Sequence, residues 1–123
     1  MVRRDTRSLG SAVEQLACRY LQDRGLQPIE RNYRCRHGEI DLVMLDDDCL
    51  VFVEVRFRSA RAFSRAALTV DRRKQGKLIR TAEMFLMTRP GFVTHPARFD
   101  VIGVDASAEG HRAVEWIRDA FGP

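Results

Sequence analysis

With 123 residues, 45% hydrophobic and 31% charged, the chain is long enough to bury a core and reads as one soluble domain over 1–123. A net charge of +4 weakly favours a polyanionic partner. The composition excludes a membrane span, since no apolar run nears ~18 residues. It also excludes a secretory leader, and Cys18, Cys35 and Cys49, odd in number and without Cys-x-x-Cys spacing, exclude a disulfide or zinc framework.

The cytoplasm is therefore the expected location, with no membrane as partner. Leu9, Ala12, Val13, Leu16, Ala17, Tyr20 and Leu21 repeat with helical spacing and predict a helix over roughly 8–24. Thr6 or Ser8 can cap its start, and Gly25 stops it. Glu14 lies at the edge of the apolar stripe, where it either faces water or leans toward the sheet. Pro28 to Cys35 reads as a first strand, wet on one side, with Arg31 and Arg34 on it. His37 and Gly38 turn the chain, and His37 carries no assigned role.

Gly38-Glu39-Ile40-Asp41-Leu42 and Leu50-Val51-Phe52-Val53-Glu54-Val55-Arg56 read as strands around Asp46, Asp47 and Asp48. So short a turn makes an antiparallel hairpin. With Asp47 and Asp48 as the turn residues, partners have numbers summing to 95, which sets Asp41 beside Glu54. Like charges opposite one another destabilise a sheet, so either Arg56 neutralises them or a divalent metal ion does. Glu54 and Arg56 share a face with Phe52 and Arg58. Glu39, two residues before Asp41, either supports this group or pairs with an arginine.

Residues 59–68 show no clear period and read as a loop, in which Arg58, Arg61 and Arg65 either touch phosphates or face water. Thr69 or Asp71 caps a second helix over about 70–87, with Leu78, Ile79, Ala82, Phe85 and Leu86 as its core stripe. Arg72, Arg73, Lys74 and Lys77 crowd its first turns. Cations are unfavourable at a helix N-terminus, so the placement suits a docked anion unless the side chains reach away into water. Pro90 and Gly91 end the helix. Arg98 to Val104 is a fourth strand, 106–110 a turn, and Ala113 to Ile117 a short last strand. The order αβββαβ(β) predicts an α/β fold with a mixed sheet flanked by helices.

Gly38-Glu39-Ile40-Asp41-Leu42 with Phe52-Val53-Glu54-Val55-Arg56-Phe57-Arg58 resembles the YraN family of small endonuclease-like proteins, in the PD-(D/E)XK nuclease superfamily. Glu14 with Ala17 and Tyr20-Leu21, Arg31-Asn32-Tyr33-Arg34, Val70 with Lys74, Ala82 with Leu86, and Arg98-Phe99-Asp100-Val101 extend the match along nearly the whole chain. Two positions depart from it: Arg56 stands where lysine is usual, and Ser64 where a glycine is usual after Phe63.

The resemblance implies a restriction-endonuclease-like core and a metal-dependent nuclease acting on DNA, branched or damaged DNA among the candidates. Glu14, Asp41, Glu54 and Arg56 become the implied catalytic residues. Glu14, Asp41, Glu54 and the Val55 carbonyl become ligands of Mg²⁺ or Mn²⁺. Arg34, Arg58, Arg61, Arg65, Arg72, Arg73, Lys74 and Lys77 become candidate DNA contacts. A homodimer is a further expectation, although no self-complementary patch stands out. Arg56 can hold a phosphate through its planar fork but cannot accept a proton. If the family's lysine must exchange one, activity is lost or moves to Lys74. The alternative is therefore a nucleic-acid-binding domain of the same fold with little or no catalysis.

Overall fold

The computed structural model describes residues 2–58, 69–105 and 114–122, the side chains of 2–10 and of 58 excepted. In chain order run helix α1 (Val2–Asp23), strands β1 (Gln27–Cys35), β2 (Gly38–Asp46) and β3 (Cys49–Arg58), and helix α2 (Arg72–Thr88). A 3-10 turn (Pro90–Phe92) and strands β4 (Ala97–Asp105) and β5 (Val114–Phe121) follow. The loop expected over 59–68, with Arg61, Ser64 and Arg65, and the turn expected over 106–110 lie outside the described residues.

The fold is α/β, a five-stranded mixed sheet in the order β1-β2-β3-β4-β5 flanked by two helices. Only the β3–β4 pair among the described strands is parallel. Parallel neighbours require a crossover, and α2 lies within it. The hairpin register is the one the sequence dictates: Leu42↔Val53 through Asp46↔Cys49 all sum to 95. Asp47 takes φ 53 in the turn, a conformation aspartate tolerates better than bulkier residues.

Strand β3 is buried on both sides, as its apolar run predicts. Val51 and Val53 join Val13, Ala17 and Leu21 of α1 in one core cluster. Leu50 and Phe52 join Leu78, Ala82 and Phe85 of α2 in the other. Phe85 holds α2 down. It meets Tyr33 edge-on at 5.3 Å and Phe52 at 5.8 Å, and is fully buried. Truncating such a residue costs about 3–5 kcal/mol, so α2 is held over the sheet by a stiff anchor near its C-terminal end.

Three boundaries differ from the sequence reading. Helix α1 begins at Val2, so Thr6 and Ser8 lie inside it and do not cap it. An apolar period reports contact with the sheet, which Val13, Ala17 and Leu21 make, and not the length of the helix. The C-terminal end is as expected: Gly25 takes φ 98, Leu26 N–H donates to Leu21 O and Gly25 N–H to Gln22 O, the double bond of a Schellman cap. Helix α2 begins after Asp71, whose carboxylate accepts the Lys74 N–H at 2.8 Å; Asp71, not Thr69, is its cap. Strand β5 runs on to Phe121. Phe121 stacks on Phe99 at 4.8 Å, and Asp119 N–H donates to Asp100, which carries the pairing past Ile117.

Candidate active-site cleft

Asp41 sits where the sheet loses its regularity. Ile40 belongs to the core under α2, yet Leu42, two residues on, belongs to the core under α1. Strict alternation would put both on one face, so the strand resets between them. Across on β1, Asn32 falls opposite the reset, between the pairs Arg31↔Leu42 and Tyr33↔Ile40, and takes φ 54. The β2–β3 ladder stops at Leu42↔Val53. A continued register would set Val55 opposite Ile40. The Val55 N–H instead goes to Asp41 Oδ2 at 2.8 Å.

Where β2 and β3 part, a cleft of about 660 Å³ opens between the strand ends and α2. Gly38, Asp41, Glu54 and Val55 form its sheet side; Arg73, Lys74, Lys77 and Thr81 form its helix side. Gly38 has φ +148, and a Cβ there would meet Thr81 Oγ1 at 3.3 Å, so glycine lets the strand approach the helix. Lys74 falls one turn before Leu78 on the buried stripe, and so points across at the strands.

Glu54 is buried, with Lys74 Nζ 2.6 Å and Arg56 Nε 3.8 Å from its Oε2. The Arg56 Nε atom is itself buried and has no hydrogen-bond partner. At 3.8 Å it feels the charge of Glu54 without bonding to it. Burial pushes the Asp41 carboxyl up to about 7; the Val55 N–H opposes this, while the charges of Glu54, Glu14 and Glu39 add to it. The sheet side thus carries negative charge in excess of what its own hydrogen bonds relieve.

Of the residues singled out in the sequence, the fold brings Asp41, Glu54, Val55, Arg73, Lys74 and Lys77 to this cleft. Arg56 borders it through Glu54. Glu14 does not line it, because α1 packs on the opposite face of the sheet; its charge still reaches Asp41. Arg34 is exposed on β1 and paired with Glu39 at 2.7 Å, which makes Glu39 both a cleft-rim residue and an ion-pair partner. Arg72 is exposed at the first residue of α2 and does not line the cleft. Arg61, Arg65 and the Arg58 side chain lie outside the described residues. Thr81 was missed in the sequence, although 74, 77 and 81 share one helical face.

Hard divalent ions take oxygen ligands, with one or two carboxylates completed by water and phosphate. Asp41, Glu54 and the Val55 carbonyl fit such an ion in kind. The elevated Asp41 carboxyl marks charge that the ion would neutralise. Among the described residues no three His, Cys, Asp or Glu side chains stand together as a ready metal cluster; Glu14 acts on Asp41 through its charge.

Residues 13–104 match the model of the family described as "Uncharacterised protein family UPF0102". The chain belongs to this family. A UPF0102 protein of Stutzerimonas stutzeri (strain A1501) is 47% identical over 117 residues, covering 95% of this chain and 97% of that one. One from Nitrosococcus oceani is 47% identical over 115 residues, covering 94% and 92%. One from Pseudomonas putida (strain GB-1) is 46% identical over 112 residues, 91% of each. The UPF0102 match spans the cleft-bearing strands and all of α2. No described helix is long and apolar enough to cross a membrane.

Proposed function

We propose that the protein is a metal-dependent nuclease that hydrolyses phosphodiester bonds in DNA. One observation carries the reading: two strand carboxylates, Asp41 and Glu54, face three helix cations, Arg73, Lys74 and Lys77, across one cleft. A phosphodiester is an anion that must be gripped, and its hydrolysis needs charge neutralisation and an activated water. A bound Mg²⁺ or Mn²⁺ would supply Lewis acidity and a more acidic water. Asp41, Glu54 and the Val55 carbonyl would hold it.

The chain's own residues divide the remaining work. Lys77 and Arg73 hold the backbone phosphates at the rim. Arg56 is a fixed positive charge beside Glu54 that cannot accept a proton. Its buried, unpartnered Nε is a donor already in place for a phosphate oxygen or a water. Branched and damaged duplexes are the preferred substrates in this reading, and pairing of two copies would match a branched substrate's symmetry.

A second reading has its own support. Glu54 is occupied by Lys74, and arginine stands where the resemblance puts lysine. A nucleic-acid-binding domain without catalysis would use the same cationic wall. A cleavage panel with Mn²⁺ on branched, nicked, single-stranded and linear DNA separates the two. The nuclease reading expects cleavage of at least one substrate by the wild type and none by Glu54→Ala. Binding without cleavage on every substrate would leave the binding domain.

A further inference from the structure

The chain carries 21 basic residues, of which 19 are arginine and two are lysine. Both lysines, Lys74 and Lys77, lie in the first two turns of α2, and both line the cleft. A chain that otherwise uses arginine has both its lysines on the helix wall that faces Asp41 and Glu54, beside Arg73. The two cations differ in kind. Guanidinium is a planar fork that locks onto a carboxylate bidentately, whereas ammonium is a compact charge on a flexible stem, free to change partners.

The surroundings of Lys74 suit a change of partner. Its backbone is fixed, since its N–H donates to the Asp71 cap. Its side chain is half exposed, at 48%, while that of Glu54 is 8% exposed. The ammonium therefore reaches inward from the solvent side of the cleft to a carboxylate that cannot move out to meet it. Glu54 is also one of the two carboxylates that would hold the divalent ion. One oxygen, Oε2, takes Lys74 at 2.6 Å. Arg56, at 3.8 Å, does not hydrogen-bond to it and so does not substitute for that contact.

We propose that Lys74 is the resting counter-ion of Glu54 and is exchanged for the divalent ion, so that its ammonium turns to a substrate phosphate only once the ion is seated. This deepens the nuclease reading and rests on it. Two consequences follow. Lys74, while paired with Glu54, competes with the ion, and the ion and the nucleic acid bind cooperatively through Lys74. A ligand's apparent affinity falls by the fraction of protein competent to take it.

The test is calorimetric titration of Mn²⁺ alone into the wild type, Lys74→Met and Lys74→Arg, with circular dichroism to confirm folding. Lys74→Met removes the competitor, and Mn²⁺ should bind about tenfold tighter than to wild type. Lys74→Arg strengthens the competitor's grip, and binding should be weaker than wild type. A second arm measures anisotropy of a short labelled DNA duplex with and without Ca²⁺. Calcium should tighten binding to the wild type and leave Lys74→Met unchanged. Equal Mn²⁺ affinity in all three forms, or weaker binding in Lys74→Met, would overturn the exchange while leaving the nuclease reading standing. No Mn²⁺ binding by any form would overturn both.

Discussion

The sheet holds two carboxylates, Asp100 and Asp41, in two different ways. Asp100, in β4, is fully enclosed and fully answered. Arg98 Nε and Nη2 donate to it at 3.0–3.3 Å, Trp116 Nε1 at 2.9 Å and Asp119 N–H at 2.9 Å. Arg98 also holds Asp46 at 3.0 Å, tying β4 to the hairpin. Burial alone would make Arg98 easier to deprotonate, but Asp100 and Asp46 more than offset this and raise it. Asp41 is the opposite case. It has the Val55 N–H, three acids nearby and a cleft in front of it, and its carboxyl is raised to about 7. A closed polar network specifies a fold. A half-buried acid left short of partners is a candidate for chemistry, because shifted carboxyl groups gather where function requires them. The first cluster holds the sheet together; the second is held open by it.

The largest effect should come from breaking the closed cluster. Asp100→Ala leaves Arg98 short of a partner and strands the Trp116 and Asp119 N–H groups. Breaking one side of a buried ion pair costs about 3–5 kcal/mol, a large share of the ~5–15 kcal/mol that holds a domain of ordinary stability. Urea unfolding measures it. A loss under ~1 kcal/mol would mean the cluster is less structural than its hydrogen bonds indicate.

The open cluster should behave in reverse. The Asp41 carboxyl is raised in the folded state, so the native protein binds that proton more tightly than the unfolded chain does. Its contribution is fully present below about pH 4, near the unfolded value of 3.8, and is lost as pH rises through about 7. Asp41→Asn keeps an acceptor for the Val55 N–H and removes the charge. In metal-free buffer at pH 8 the variant should be more stable than wild type, by on the order of 2 kcal/mol after allowing for solvent screening. At pH 4 the difference should vanish. Added Mn²⁺ should stabilise only the wild type, and more so above pH 7, where Asp41 is ionised. Thermal melts across this pH range, with chelator and with Mn²⁺, check each part. A variant less stable than wild type at pH 8 would show that Asp41 is a structural acid after all, and the comparison would fail.

How far these two regions could be seen in the sequence follows from the range over which each signal acts. The hairpin register was legible because a two-residue turn fixes it by counting, and the observed ladder follows that count as far as Leu42↔Val53; beyond it Asp41 and Glu54 share the cleft without pairing in the ladder. The α2 stripe was legible because Leu78, Ala82 and Phe85 repeat with the helix. The reset between Ile40 and Leu42 was not, since alternation assumes an unbroken strand and Asn32 gives no distinct signal of its left-handed backbone. The Asp100 cluster was also hidden. Its partners come from β2, β4 and β5, and no local pattern announces which distant Trp or N–H will meet a buried Asp. The Lys74–Glu54 contact joins residues 20 apart across a crossover, so sequence put Lys74 on the right helical face without naming its partner.

The smallest effect belongs to the outer rim of the open region, and it tests what the cations are for. Lys77 lines the cleft, is exposed, and is set by the rigid helix rather than by an ion pair with either strand acid. If it holds one phosphate, Lys77→Ala should weaken DNA binding alike for all sequences. It should also lower the slope of log affinity against log salt by about 0.9 for a duplex. Arg72, exposed at the first residue of the same helix and absent from the cleft lining, is the matched control: Arg72→Ala should change that slope less. Anisotropy of a labelled duplex over a salt series reads both. Equal changes for the two variants would mean that DNA meets a diffuse positive field and not the cleft. Asp41 and Glu54 would then face no phosphate, and the contrast between a closed acid for folding and an open acid for chemistry would lose its functional half.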